Sequence, residues 1–419
     1  MEYLLRGDIC YSENLKTLIC KENAYLHIKD GLCQGVYDSL PKELSSVEIK
    51  DYSGDLILPG MVDLHLHAPQ YGFRGTKMDL ELLDWLNVNT FPEEAKYQNL
   101  DYAERGYQDF VEDLRGSATT RAVIFATLHK DATLLLMKLL EESGLVSYVG
   151  KVNMDRNSPE YLTEHTAEES LKNTKEWLSE IPKDWQNCKP ILTPRFTPTC
   201  SDALMEGLGK LAKEYKLPVQ SHLSENLGEI AWVKELCPDA KHYGDTYDRY
   251  GLLENSIMAH CVYTEGEELS ALKARGTMIC HCPQSNTNLC SGAAPIRYFL
   301  EENVKVGLGT DVAGGANLSM LRAITDAISV SKLRFRLMDQ SLSPLTLEEA
   351  FCLATLSGGS FFGKVGSFLP GYEGDALVFH EKRRSVRKQT VKERLEVLLY
   401  TGEESARLQA KFVQGRQLF

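Results

Sequence analysis

The chain has 419 residues, and its 59 acidic against 46 basic side chains give a formal charge of −13. That balance excludes a nucleic-acid surface, which needs clustered Lys and Arg, and leaves a small neutral or cationic substrate as the easier partner. The eleven cysteines are odd in number and lack C-x-x-C spacing, so they read as reduced thiols of a cytosolic protein, and neither a signal peptide nor a membrane-length apolar run is expected.

Residues 3–49 hold short apolar runs (15–20, 24–28, 35–37) broken by Gly, Asp and Pro, the pattern of a small sheet of short strands that is incomplete alone. After the apolar Leu56-Ile57-Leu58, Pro59-Gly60 bends the chain into Met61-Val62-Asp63-Leu64-His65-Leu66-His67, expected as a buried strand. A side-chain period of two points His65 and His67 to one side, where two imidazoles can hold one metal ion. From about 55 to 365, short apolar runs alternate with amphipathic stretches. Further strands are expected at 122–127, 148–153, 191–196, 218–222, 256–260, 277–281 and 305–309, and helices at 133–143 and 201–215. With the first strand that makes eight units, which favours an α/β fold of the closed (β/α)8 TIM type over an open doubly wound sheet. Residues 366–375 are turn-rich and lead into Ala376-Leu377-Val378-Phe379. The expected architecture is therefore a barrel over 56–365, beside a small discontinuous β-sandwich domain formed by 1–55 and 366–419. Lys382-Arg383-Arg384 reads as a solvated basic turn.

In such a barrel, chemistry is done at the C-terminal ends of the strands. His65 and His67 close the first strand, His222 the fifth and His260 the sixth, and Asp311 follows the eighth. A lone histidine at a strand end is more often structural, but joint occurrence at four strands on the reactive face points to a mononuclear metal site. Three imidazoles and a carboxylate suit Zn2+, with Fe2+ equally acceptable, and leave a position for an acidified water. Asp311 could also take that water's proton, and His260 is better placed as a hydrogen-bond partner of the water than as a fourth imidazole ligand. Glu225, three residues beyond His222, could shuttle a proton to a substrate ring nitrogen or simply cap a helix, and spacing leaves both open.

These residues carry a family resemblance. Pro59-Gly60-Met61-Val62-Asp63-x-His65-x-His67, the His222 to Glu225 pair, Ala259-His260, His281-Cys282-Pro283-Gln284-Ser285-Asn286 and Gly309-Thr310-Asp311 together resemble the amidohydrolase superfamily. His67-Ala68-Pro69-Gln70-Tyr71, Thr90-Phe91-Pro92-Glu93-Glu94, Val149-Gly150-Lys151-Val152-Asn153-Met154-Asp155, Thr193-Pro194-Arg195-Phe196 and Asp311-Val312-Ala313-Gly314-Gly315 are similar to its guanine deaminase family. The resemblance implies hydrolytic removal of the 2-amino group of guanine, giving xanthine and ammonia, with zinc on His65, His67, His222 and Asp311. It implies catalysis by Glu225, His260 and Asp311. It also implies substrate contacts from His67, Ala68, Pro69, Gln70, Arg195, Phe196, His222, Leu223, Ser224, Glu225, His260 and Asp311. Without it, Arg195 would read as a rim ion pair, Phe196 as packing and Gln70 as a loop residue.

The place where binuclear members carry a bridging carboxylated Lys or Glu reads Thr193-Pro194-Arg195-Phe196, so one metal is expected. The H-x-E…P-C-x-x-C signature of the unrelated cytidine-type deaminases is missing. His281 is expected to be structural, and His27, His129, His165, His242 and His380 ordinary. Alternatives are a superfamily deaminase of another purine, a pterin or an s-triazine, and a non-catalytic barrel scaffold. A homodimer is expected, with residues 82–91 as the candidate exposed apolar surface.

Overall fold

The structure, a computed structural model, describes residues 1–383 and 385–419, with Glu403 described by its backbone alone. Arg384 of the expected basic turn lies outside the described residues. Both ends of the chain build one seven-stranded sheet from Glu2–Asn14, Thr17–Lys29, Leu32–Tyr37, Ile49–Pro59, Ala376–Glu381, Ala406–Val413 and Arg416–Gln417. The C-terminal strand Ala376–Glu381 lies antiparallel to Ile49–Pro59, so the sheet is discontinuous in sequence. Its hydrogen bonds join all seven strands in one continuous ladder. The short runs expected at 15–20 and 24–28 belong to a single 13-residue strand. The polar break Lys21-Glu22-Asn23 does not end it because a register shift between Gly7 and Ile9 absorbs it, with Asn23 at φ 49 and its N–H donated to Asp8 at 2.7 Å. Tyr3, Leu5, Ile9, Leu26, Ile28, Phe368, Val378 and Phe412 form this sheet's own core.

The middle of the chain supplies eight parallel strands: β1 Met61–His67, β2 Thr119–Phe125, β3 Val146–Gly150, β4 Cys188–Pro190, β5 Val219–Leu223, β6 Ser256–His260, β7 Met278–His281 and β8 Lys305–Leu308. All seven residues of β1 are buried, as parallel strands covered on both faces require. The ladder is not the closed ring expected from the sequence. It forms two four-stranded sheets, β1-β2-β3-β4 and β5-β6-β7-β8. The expected strand over 191–196 is interrupted: β4 stops at Pro190, Thr193–Pro194 pairs only with Val152–Asn153, and Pro218 precedes β5. Each proline removes an N–H from the ladder, so continuous pairing cannot run through this corner. Isolated hydrogen bonds, outside the ladders, cross both seams. Leu192 N donates to Pro218 O at 3.0 Å and Gln220 N to Leu192 O at 2.9 Å; Asp311 N donates to His65 O and His67 N to Val312 O, each at 2.8 Å.

The helix expected over 201–215 is Asp202–Tyr215, with the Ser201 side chain accepting from Leu204 N as its cap and Leu204, Leu208 and Leu211 buried. The sheet is tied to the barrel by buried charge. Arg121 of β2 donates to Asp375 at 2.6 and 2.9 Å and to Glu373 at 2.8 Å, while Lys411 Nζ donates to Arg115 O at 2.6 Å and Thr119 O at 2.9 Å. Among the described residues, no helix is long and apolar enough to cross a membrane.

Candidate active site

The period of β1 puts His65 and His67 on one side, with ring centroids 4.9 Å apart and ring planes near perpendicular. A side chain at Gly309 would put its Cβ 2.6 Å from Cys280 Sγ and 3.0 Å from His65 Cβ, so only glycine lets the chain leaving β8 pass this close to His65. Two residues on, Asp311 reaches the histidines. Asp63 fixes that approach by accepting from Thr310 N at 3.0 Å, Thr310 Oγ1 at 2.6 Å and His65 N at 3.3 Å. Ser224, His260 and Asp311 all have left-handed backbones (φ 47, 72 and 48), a conformation sparsely used by non-glycine residues and concentrated here at three strand ends.

The side chains so placed converge. Asp311 Oδ1 lies 3.1 Å from His65 Nε2 and 3.4 Å from His67 Nε2, and His67 Nε2 lies 3.3 Å from His222 Nε2. His260 Nε2 is 3.4 Å from Glu225 Oε2 and 3.7 Å from Asp311 Oδ2. His222 Nδ1 donates to Arg195 O at 2.7 Å and His260 Nδ1 to Asn286 Oδ1 at 2.8 Å, which turns the Nε2 lone pair of each toward the common centre. His65 Nε2 and His260 Nε2 are buried yet make no aligned hydrogen bond. Bare nitrogens crowded against a carboxylate are costly unless a cation sits among them. The ligand atoms of His65, His67 and Asp311 lie within 4.8 Å of one another, as do those of His65, His222 and His260, and the nitrogen-rich donor set fits a borderline divalent ion.

Burial pulls the imidazoles down, His67 to about 4 and His222 well below its usual value, which keeps them neutral and able to ligate. Burial opposes ionisation of Asp311, but the neighbouring His65 and His67 outweigh it and hold the carboxyl well below the usual range. Burial first, and then the Asp311 charge, push Glu225 up to about 8. Glu225 is not a helix cap. The cap is Asn226, in a capping box with Glu229, whose Oε2 accepts from Glu225 N at 3.0 Å and Asn226 N at 3.3 Å. The Glu225 carboxylate is held instead by Ser291, whose Oγ donates to Oε1 at 3.1 Å.

The convergence opens on a cleft of about 420 Å³, counting its solvent-filled mouth. His67, Gln70, Arg195, Phe196, His222, Glu225, His260 and Asp311 line it together with Leu82, Trp85, Leu86 and Leu289. Four residues expected at the substrate are not on this wall. Ala68 and Leu223 are buried in apolar clusters, Pro69 is buried in the turn Ala68–Phe73, and Ser224 donates its hydroxyl to Glu268 at 2.9 Å. The expected exposed apolar surface over 82–91 is corrected. Leu82, Trp85, Leu86 and Phe91 are buried, and the first three form the cleft wall, leaving Val88 as the large apolar residue exposed there.

With this geometry in hand, comparison with known proteins is decisive about ancestry: a family model described as "Amidohydrolase family" matches residues 56–404. The chain belongs to the amidohydrolase family. Among curated relatives, guanine deaminase of Rattus norvegicus is 44% identical over 343 residues, covering 80% of this chain and 75% of its own. Guanine deaminase of Escherichia coli is 35% identical over 413 residues, covering 95% and 91%. The crystal structure of guanine deaminase from C. acetobutylicum, with guanine bound in its active site, is 43% identical, covers both chains fully and superimposes with a TM-score of 0.97.

Several residues of this amidohydrolase site were not assigned a role from the sequence. Asn286 and Ser291 lie beyond β7, where no periodicity assigns them to His260 and Glu225. Glu94 pairs with Arg195, 101 positions away, and only its place in Phe91-Pro92-Glu93-Glu94 hinted at a role. Asp63 sits on the strand that bears the histidines, and its alternation with His65 and His67 places it on their side.

Proposed function

We propose that the protein is a guanine deaminase, releasing ammonia from guanine and leaving xanthine. The observation that carries the reading is the convergence of His65, His67, His222 and Asp311, far apart in sequence, at the floor of a cleft walled by Gln70, Arg195 and Phe196. His65, His67, His222 and Asp311 would hold one ion, zinc by donor type, which when bound supplies a water acidified toward neutrality. Asp311 accepts a proton from water as its oxygen adds to the carbon bearing the amine. Glu225, braced by Ser291 and 3.4 Å from His260 Nε2, delivers a proton to the adjacent ring nitrogen, then takes back the second proton of the added oxygen as the carbonyl forms, while the proton held on Asp311 passes to the departing amine, so both carboxyl groups end as they began. His260, fixed by Asn286, orients the attacking water. Arg195 supplies N–H donors to the ring carbonyl, Gln70 an amide at the ring edge, and Phe196 an apolar face.

The two four-stranded sheets are read as halves of one (β/α)8 barrel over residues 56–365, and the terminal sheet as a small sandwich-like domain over 1–55 and 366–419. The test is a spectrophotometric guanine assay on metal-replete and chelated protein. Xanthine should form only in the metal-replete sample and return on adding Zn2+, with adenine untouched. Guanine left intact by protein shown to contain stoichiometric metal would overturn the reading.

A further inference from the structure

Glu94 lines no part of the cleft and touches none of the converging groups, yet its carboxylate is spent entirely on the residues that face the ligand. Oε2 accepts from one terminal nitrogen of Arg195 at 2.6 Å; Oε1 accepts from the other at 3.1 Å and from Gln70 Nε2 at 2.8 Å. Gln70 Oε1 accepts from Ala313 N at 3.2 Å, so both ends of that amide are fixed. Arg195 and Glu94 are 2% and 1% exposed. The Phe91 ring, on the same short helix as Glu94, lies 5.2 Å from the guanidinium. Among the described residues, Glu94 is the acid paired with Arg195.

A guanidinium cannot shed its proton, so any ring docking here meets a cation that is either bare or already neutralised. Glu94 makes it the second. A neutral ring with a carbonyl beside an N–H loses little by this, because Arg195 keeps N–H donors not used on the carboxylate. An anionic ring loses much more, since charge–charge attraction is strong where water is excluded. We propose that Glu94 is a specificity-determining residue: it cancels the charge of Arg195, so that the pocket admits neutral lactam heterocycles and turns away anionic ones. The inference rests on the deaminase reading and extends it to release. Replacing an exocyclic amine with a ring carbonyl makes a heterocycle a stronger N–H acid, so the product is turned away once it ionises.

The test measures binding by isothermal titration calorimetry on the metal-loaded full chain. The probes are xanthine and 8-azaxanthine, which have nearly the same shape but differ in charge slightly below neutral pH, where the second is an anion. Glu94→Gln, which keeps the size and loses the charge, should shift the ratio of the two Kd values toward the anion by at least about tenfold. Arg195→Gln, which leaves the carboxylate uncompensated, should shift it the other way. Loss of shape alone would weaken both ligands together and leave the ratio near that of the wild type. Ratios unchanged in both variants, or moving in the same direction in both, overturn the proposal; if one variant fails to fold, the sign of the shift in the other decides. Wild-type protein that binds these purines without deaminating guanine would sink the proposed function and leave the charge filter standing. Guanine turnover with an immobile ratio would do the reverse.

Discussion

At the scale of single residues, the site divides into groups placed by local geometry and groups placed by the fold. His65 and His67 were legible because a strand's period of two is a local rule. Glu225 was legible only as a carboxylate near His222. Its freedom from capping depends on Asn226 and Glu229, and its bracing depends on Ser291 from 66 positions away. Glu225→Gln keeps the hydrogen bond from Ser291 and loses the mobile proton. Its kcat should fall by about 10²- to 10⁴-fold with metal content unchanged. Elemental analysis beside the guanine assay checks this, and near-normal turnover would reassign the residue.

Elements explain which expectations about strand and wall held. β6 runs over Ser256–His260 because its apolar run is uninterrupted, whereas the strand expected over 191–196 fails at prolines that cannot donate to a ladder. The segment from Leu82 to Phe91 misled for another reason. Apolar residues with no visible partner in sequence look exposed, and the partner here is a cleft assembled from distant strands. The helix Leu227–Leu236 shows how an element serves the site, since its capping box holds the amide of Glu225. Asn226→Ala should cost about 1 kcal/mol of stability from the lost cap. Because it also loosens the Glu225 backbone, kcat should drop with little change in KM, and a change confined to thermal stability would separate the cap from catalysis.

At the scale of the molecule, the union of barrel and terminal sheet was visible as two β-rich ends, but its chemistry was not. Arg121 meets Asp375 across 254 positions with both side chains buried. Removing the arginine leaves an uncompensated charge, so Arg121→Ala should cost about 3–5 kcal/mol in denaturant unfolding; a loss under 1 kcal/mol would show that water relieves it. Lys411 gives the sheet a pH dependence. Burial pulls its ammonium down to about 7, well under its value in an unfolded chain, so above that pH the unfolded state binds more protons than the folded one. Stability from this group therefore rises with pH from about 7 toward the ordinary lysine range, at up to about 1.4 kcal/mol per pH unit. The stability of wild type minus that of Lys411→Met should rise between pH 7 and 9, and a flat difference would refute the assignment. The amides of Asp311 and His67 stitch β8 to β1 where the ladder is otherwise open, and the same two residues offer their side chains to the ion. An ion bound by these side chains would therefore also strengthen that seam, so protein deprived of metal should breathe there first. Deuterium uptake at these amides should slow on adding Zn2+ while β6 stays unchanged.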